Sequence, residues 1–379
     1  MMKRSIIIFF GALAIFMAGC TGDVIAPVPE RSPEGDRAWV TDLSLPVPIE
    51  LGISKAITDT KGNGLVNSLE DMDRKHFRIF GADKHSSSIS LMDGLKAADA
   101  YFFYNDGERF KFGNYNEGDS EDRTIYYPSD DVDYTFYAYH DPTNPEEGEP
   151  KYWTEDEDKR LMVEVLLGKT TDVLWGKAES GESEGFNASY IRLSRNKPGF
   201  VFRHPAVCLS ISASLADTFS SDTKYILVGG LKLKSIATTA NLCLIDANES
   251  GSLEGTICAT DNFKDVNLYN LPDGTSGNLN MKFVNSEANL HKVIGDNMFI
   301  APQQGAIECT LMVQRWSEGA PRADGTWYLD LTLDPALINP VFEEYRYQAG
   351  KRYRFNIEIG LMNRAVPYIK SVGISNASR

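Results

Sequence analysis

The strongest local constraint in the chain is the run "LSLPVPIELGISKA", residues 43–56. Leu43, Leu45, Val47, Ile49, Leu51 and Ile53 occupy every second position, the period of a half-buried β-strand. Pro46 and Pro48 fall between them, and proline cannot donate a ladder hydrogen bond. Alternate residues of a strand direct their backbone groups to the same edge, so both prolines remove donors from one edge. The apolar positions keep their donors on the other. Such a strand pairs on one side only, which suits an edge strand and disfavours a central one. The alternative reading is a proline-rich linker whose alternation is accidental.

The same period recurs along the chain. "HFRIFGADK" (76–84), "YTFYAYHDP" (134–142), "AVCLSISASL" (206–215) and "YRFNIEIGL" (353–361) each place apolar residues on one face. "AYFFYNDGERFKFG" (100–113) reads as a hairpin turning at Asn105-Asp106-Gly107. "EDKRLMVEVLLGK" (157–169) fits either a helix or a buried strand, and the acidic stretch 144–158 reads as a surface loop. After "NIEIGL" the segment with Val366, Tyr368, Lys370, Val372 and Ile374 alternates again, either completing the chain's own sheet or donated to a neighbour. Many strands separated by turn signals predict an all-β fold of antiparallel sandwiches. The Pro-Gly pair in "SRNKPGF" (194–200) marks a boundary, giving β-sandwich domains over 38–197 and 198–379.

The N-terminus bears on location. Met1-Met2-Lys3-Arg4 is a short basic region, followed by an uncharged run from Ser5 to Ala18. That run is shorter than the ~20 residues a membrane helix needs and has the layout of a secretory signal, residues 1–19. It ends in Met17-Ala18-Gly19-Cys20, which resembles a bacterial lipoprotein box cut before Cys20, with Met17 standing where Leu is usual. Acylation of Cys20 would make the chain membrane-anchored, each buried methylene adding ~0.8 kcal/mol. Residues 20–37, with three prolines and mixed charges, read as an extended tether. The alternative is an ordinary signal peptide with an incidental cysteine.

Lys and Arg total 38 against 53 Asp and Glu, a net charge of −15. That balance excludes nucleic acid as a partner, since nucleic-acid binding needs clustered basic side chains. The five histidines, His76, His85, His140, His204 and His291, show no metal-ligand spacing. No nucleophile elbow, zinc-protease or phosphate-loop motif occurs. No catalytic residue, metal or cofactor is expected, and the chain does not read as an enzyme. Cys208, Cys243, Cys258 and Cys309 remain after Cys20. Cys243 and Cys258 flank "ANESGS" and would face each other if that stretch is a hairpin tip. Facing cysteines can bridge; two small side chains without a disulfide is the favoured alternative. His204 reads as a core or rim residue.

A set of landmarks in order then points to a family. They are the lipobox; a strand followed by Lys55-Ala56; "YYPSDDVDYTFYAYHDP"; "TDVLWGKA"; "FVFRHPAVCLSISASL"; and finally "GSLEGTI", "FIAPQQ" and "AGKRYRFNIEI". In this order the chain resembles the fimbrillin family, the type V pilins of Gram-negative anaerobes. The resemblance implies two transthyretin-like β-sandwich domains and an outer-membrane lipoprotein held at the cell surface through lipid on Cys20. It implies assembly with other fimbrial subunits into an adhesive fimbrium by donor-strand addition. A trypsin-like maturation protease would cut after the first strand, at Lys55-Ala56, where the family usually has Arg. Arg37-Ala38 is the second choice, but a cut there leaves the first strand in place. The competing reading is a surface glycan-binding lipoprotein of a nutrient-uptake system, with Trp153, Trp316 and Trp327 as candidate platform residues.

Overall fold

The computed structural model describes residues 38–55, 68–113, 115–116, 119–120, 123–128, 131–140, 150–167, 172–179, 185–248, 253–269, 281–303, 305–317, 320–337 and 347–375. The chain is all-β. Seven strands close into a barrel in the order β1 (Gly52–Lys55), β11 (Gly199–Arg203), β10 (Leu174–Glu179), β7 (Tyr134–His140), β2 (His76–Asp83), β3 (Ala98–Phe103) and β4 (Arg109–Phe112). β1 pairs parallel with β11 and meets β4 at Gly52 and Arg109, so one short strand closes the ring. The alternation predicts two facing sheets here. The sheet closes instead because β1 finds a partner on each side at its first residue, Gly52.

The hairpin of β3 and β4 forms as its sequence predicts, with Phe102 opposite Phe110 and Gly107 in the left-handed region (φ 73°). Phe77, Ile79, Phe102, Phe110, Phe136 and Phe200 point into the barrel and form the first core. β5 (Tyr115–Asn116) and β6 (Asp119–Ser120) make a small separate hairpin.

Two sheets share a second core. One has the order β18 (Lys292–Ile300), β12 (Val207–Leu215), β21 (Arg352–Met362) and β22 (Val366–Ser375). The other runs β16 (Phe263–Tyr269), β13 (Tyr225–Ala237), β19 (Ile307–Ser317) and β20 (Ala320–Leu333), with β17 (Met281–Phe283) also on β13. Leu209, Ile211, Phe355 and Ile357 from the first sheet meet Val228, Leu231, Leu311 and Val313 from the second. The C-terminal alternation forms β22, paired antiparallel with β21 at the edge of its own sheet.

A fourth sheet, β15 (Ile257–Ala259), β14 (Thr239–Asp246), β9 (Arg160–Leu166) and β8 (Tyr152–Glu155), draws strands from both halves of the chain. Its side chains build a third core against the outer face of the barrel. β7 shows how: Tyr134, Phe136 and Ala138 enter the first core, while Tyr137 and Tyr139 enter the third. The ambiguous run 157–169 therefore resolves as a turn followed by strand β9. The acidic stretch before it is only partly loop, since Tyr152–Glu155 is strand β8. The strand after Pro198 still belongs to the barrel; the second core begins at Val207. His204 lies between β11 and β12, buried, its Nδ1 2.7 Å from Asp172 Oδ1.

Candidate functional site: the slot of the first strand

The segment ahead of β1 lies in a slot along the barrel. Val47, Ile49 and Leu51 are buried in the first core, and Ile53 packs half-buried against it. Tyr127 N donates to Val47 O (3.0 Å), Ile49 N to Ile125 O (2.8 Å) and Phe110 N to Leu51 O (2.9 Å). All three bonds use odd-numbered residues, hence one edge. Pro46 and Pro48 sit on the opposite edge, where Gly52 N bonds Pro198 O at 2.9 Å. The backbone bonds of Val47, Ile49 and Leu51 thus run along one edge, and Gly52 adds a bond on the other. Beside it the Tyr127 hydroxyl is buried with no hydrogen-bond partner among the described residues, and burial pushes its pKa up. A buried unpaired hydroxyl costs about 1–3 kcal/mol.

The apolar row is shorter than the sequence period predicts. Leu43 is 77% exposed and Leu45 38% exposed. They lie in a turn after α1 (Ala38–Thr41), where Leu45 N bonds Asp42 O. The cause is local: Asp42 Oδ1 accepts from Ser44 N (2.9 Å) and Ser44 Oγ (2.6 Å), a side-chain turn that competes with strand. Those bonds, with Arg192 adding to them, hold the Asp42 carboxyl below its usual range.

The opposite wall comes from α2 (Ala188–Ser194) and its exit into β11. Asn187 caps α2, its side chain accepting from Tyr190 N at 2.6 Å. From α2, Arg192 reaches the carbonyls of Trp39, Asp42 and Leu45. Lys197 crosses over Gly52 to bond Gly107 O (2.9 Å) and Glu108 O (3.2 Å). Neither role is visible in the sequence; the only signal was Asn187 as a cap for a helix that the strand pattern hides.

Lys55 ends β1, in register with Val201. Ala56, Arg37 and Cys20 lie outside the described residues, and Ala38 opens α1. Cys243 and Cys258 are free thiols and do not face each other. Cys258 stands opposite Asn241, while Cys243 N bonds Thr256 O, because the connection is longer on the β15 side than the symmetric spacing assumes. The three tryptophans share no platform. Trp153 is on β8, whereas Trp316 and Trp327 fall on opposite faces of their sheet, beside Gln314 and Val313 respectively. Among the described residues no group of three or more His, Cys, Asp or Glu is placed to hold a metal.

A family model described as fimbrillin-like matches residues 89–368. The chain belongs to the fimbrillin-like family. The match covers Phe110, Ile125–Tyr127 and β11, which line the slot, and begins after the strand that fills it. No curated protein matches the sequence. Among solved structures, a fimbrial protein from Bacteroides vulgatus is similar at 11% identity and TM-score 0.48, covering 86% of this chain and 98% of its own. The fimbrial anchor protein Mfa2 from Porphyromonas gingivalis is similar at 11% identity and TM-score 0.34, covering 87% of this chain and 98% of its own.

Proposed function

We propose that this fimbrillin-like chain is a fimbrial subunit of the outer-membrane surface that serves adhesion without catalysis. It is anchored through lipid on Cys20 and folds as two β-domains divided near residue 197, with strand 199–203 packed on the N-terminal side. A trypsin-like protease cuts after Lys55 and the first strand leaves. A segment of another subunit then fills the slot by adding main-chain hydrogen bonds and burying alternate side chains.

The observation that carries this reading is the one-edged pairing of Val47, Ile49 and Leu51 beside Pro46 and Pro48. Val47, Ile49 and Leu51 release backbone bonds on one edge, whereas Gly52–Lys55 must also give up the β11 ladder, and the three buried side chains leave an apolar groove. Burying each is worth about 1.5–3 kcal/mol, an equal reward for a replacement that supplies similar side chains. The test is N-terminal sequencing of surface-released protein with electron microscopy of sheared filaments. A mature start at Ala56 within filaments is expected. A full-length acylated monomer that binds oligosaccharide overturns the reading.

A further inference from the structure

A single side chain holds the start of the first-strand segment. Arg192 Nη1 donates to Trp39 O and to Asp42 O (3.1 Å), and Nη2 donates to Leu45 O (2.6 Å). These carbonyls lie where α1 ends and the Asp42 turn begins, and helix-terminal carbonyls have no partner within the helix. Trp39 is itself buried in the first core. The turn therefore presents one aromatic anchor and three acceptors to one guanidinium. Arg192 Nε is buried without a hydrogen-bond partner among the described residues, so the carbonyls carry this charge's hydrogen bonds, with the Asp42 carboxylate nearby.

We propose that Arg192 is the selector of the slot. It retains the N-terminal segment through these carbonyls, and once that segment leaves it receives the carbonyls or carboxylate of the replacement. This deepens the removable-strand reading and rests on it. Departure of 38–55 removes all three acceptors together and leaves the guanidinium fork free for a new acceptor beside an apolar groove. Lys197 keeps its bonds to Gly107 and Glu108, which belong to the β3–β4 connection and stay. A replacement offering only alternate apolar side chains fills the places of Val47, Ile49 and Leu51 and leaves Arg192 unanswered. One with a carboxylate or an open turn at that end satisfies the fork, in the geometry guanidinium favours. The occupant is thus an extended segment of another subunit with alternate apolar residues and an acidic or carbonyl-rich end.

The test uses the full chain with a specific protease site placed between residues 56 and 67. After cutting, the resident segment is exchanged against labelled peptides spanning 38–55 and 43–55, with dissociation rates followed over a range of low urea. The wild-type protein is expected to hold 38–55 at least about tenfold longer, the factor one charge-assisted hydrogen bond supplies. Arg192→Ala should keep only the part of the preference that burial of Trp39 supplies, about tenfold below wild type, and Arg192→Lys should recover part of the difference. A 46–55 peptide with an N-terminal succinyl carboxylate should regain residence on wild type and not on Arg192→Ala. Thermal melts of the uncut variants confirm that they fold. Equal residence of 38–55 and 43–55 on wild type, the same preference in Arg192→Ala, or a segment that never leaves either protein overturns the proposal. Filaments are scored separately: exchange governed by Arg192 without filament growth overturns donor-strand assembly and supports the selector.

Discussion

Gly52 stands in register with Gly199 where the barrel closes, and the two glycines are spared a side chain for different reasons. A Cβ on Gly199 would lie 2.7 Å from Ser54 Cβ and 3.0 Å from Ser54 N, in conflict with the β1 backbone. A Cβ on Gly52 would lie 2.7 Å from Lys197 Cε, the far end of a flexible side chain, and 3.2 Å from Glu108 O. Gly199→Ala should therefore lower stability by about 2–3 kcal/mol, the upper range for forced overpacking. Gly52→Ala should cost about 1 kcal/mol, as Lys197 swings away and gives up its carbonyls. Urea unfolding of both variants checks the order, which reverses if Lys197 rather than the parallel backbone contact sets the closure.

Acid should destabilise the barrel through His140. The imidazole is buried at the end of β7, its ring 5.3 Å from Phe77, and Nδ1 lies 2.7 Å from His76 O. Burial pushes its pKa down to about 4, with Lys75 and His76 adding to the fall and the His76 carbonyl and Asp172 opposing it. The folded-state value is below the unfolded one, so the unfolded chain binds the proton first. This contribution is intact above about pH 6.5 and lost as pH falls toward 4, amounting to about 3 kcal/mol. Urea midpoints across pH 4–7 should slope accordingly in wild type. His140→Gln should flatten the slope while lowering the plateau; an unchanged slope would place the titration elsewhere.

Most strands were legible because their side chains have one exposed and one buried face. β12 and β21 match the alternation of Val207–Leu215 and Tyr353–Leu361 almost residue for residue. Where the reading failed, a short-range competitor or a long-range partner intervened. Leu43 and Leu45 keep the strand period, but the Asp42–Ser44 hydrogen bonds bend them into a turn. Phe200 and Phe202 alternate in the sequence, yet alternation names no partner, so closure of β11 onto β1 was invisible. Cys243 and Cys258 are separated by a register that residue spacing does not encode. Arg192, on a seven-residue helix, looks in sequence like any solvated charge.

Glu254 should couple the barrel to the second half of the chain. Its carboxylate accepts from Tyr137 Oη (2.7 Å) and Lys177 Nζ (2.6 Å), and its backbone carbonyl accepts from Arg203. Arg203 in turn lies over the Trp175 ring at 4.5 Å, and Trp175 Nε1 donates to Leu244 O at 3.0 Å. Glu254→Ala leaves the hydroxyl of the buried Tyr137 without its acceptor, at about 1.5–3 kcal/mol. Glu254→Gln keeps an acceptor and should cost less. Calorimetry should show a lowered melting temperature in the order wild type, Gln, Ala; equal values for Gln and Ala would mean that the charge on Lys177 matters more than the Tyr137 bond.

The cysteines offer a test of the register on β14 and β15. Cys258 is exposed, whereas Cys208, Cys243 and Cys309 are buried. Burial pushes the thiols of Cys208 and Cys243 up to about 12, and that of Cys309 up as well. Thiolate is the reacting form, so at pH 8 a buried thiol fails on both access and ionisation. A thiol reagent applied to folded protein starting at Ala38 should modify one cysteine quickly and three only on unfolding. Cys258→Ser should abolish the fast phase and leave stability within about 0.5 kcal/mol, as for an exposed substitution. A native protein with no fast thiol, recovering two after reduction, would show that β15 shifts to bring Cys258 against Cys243.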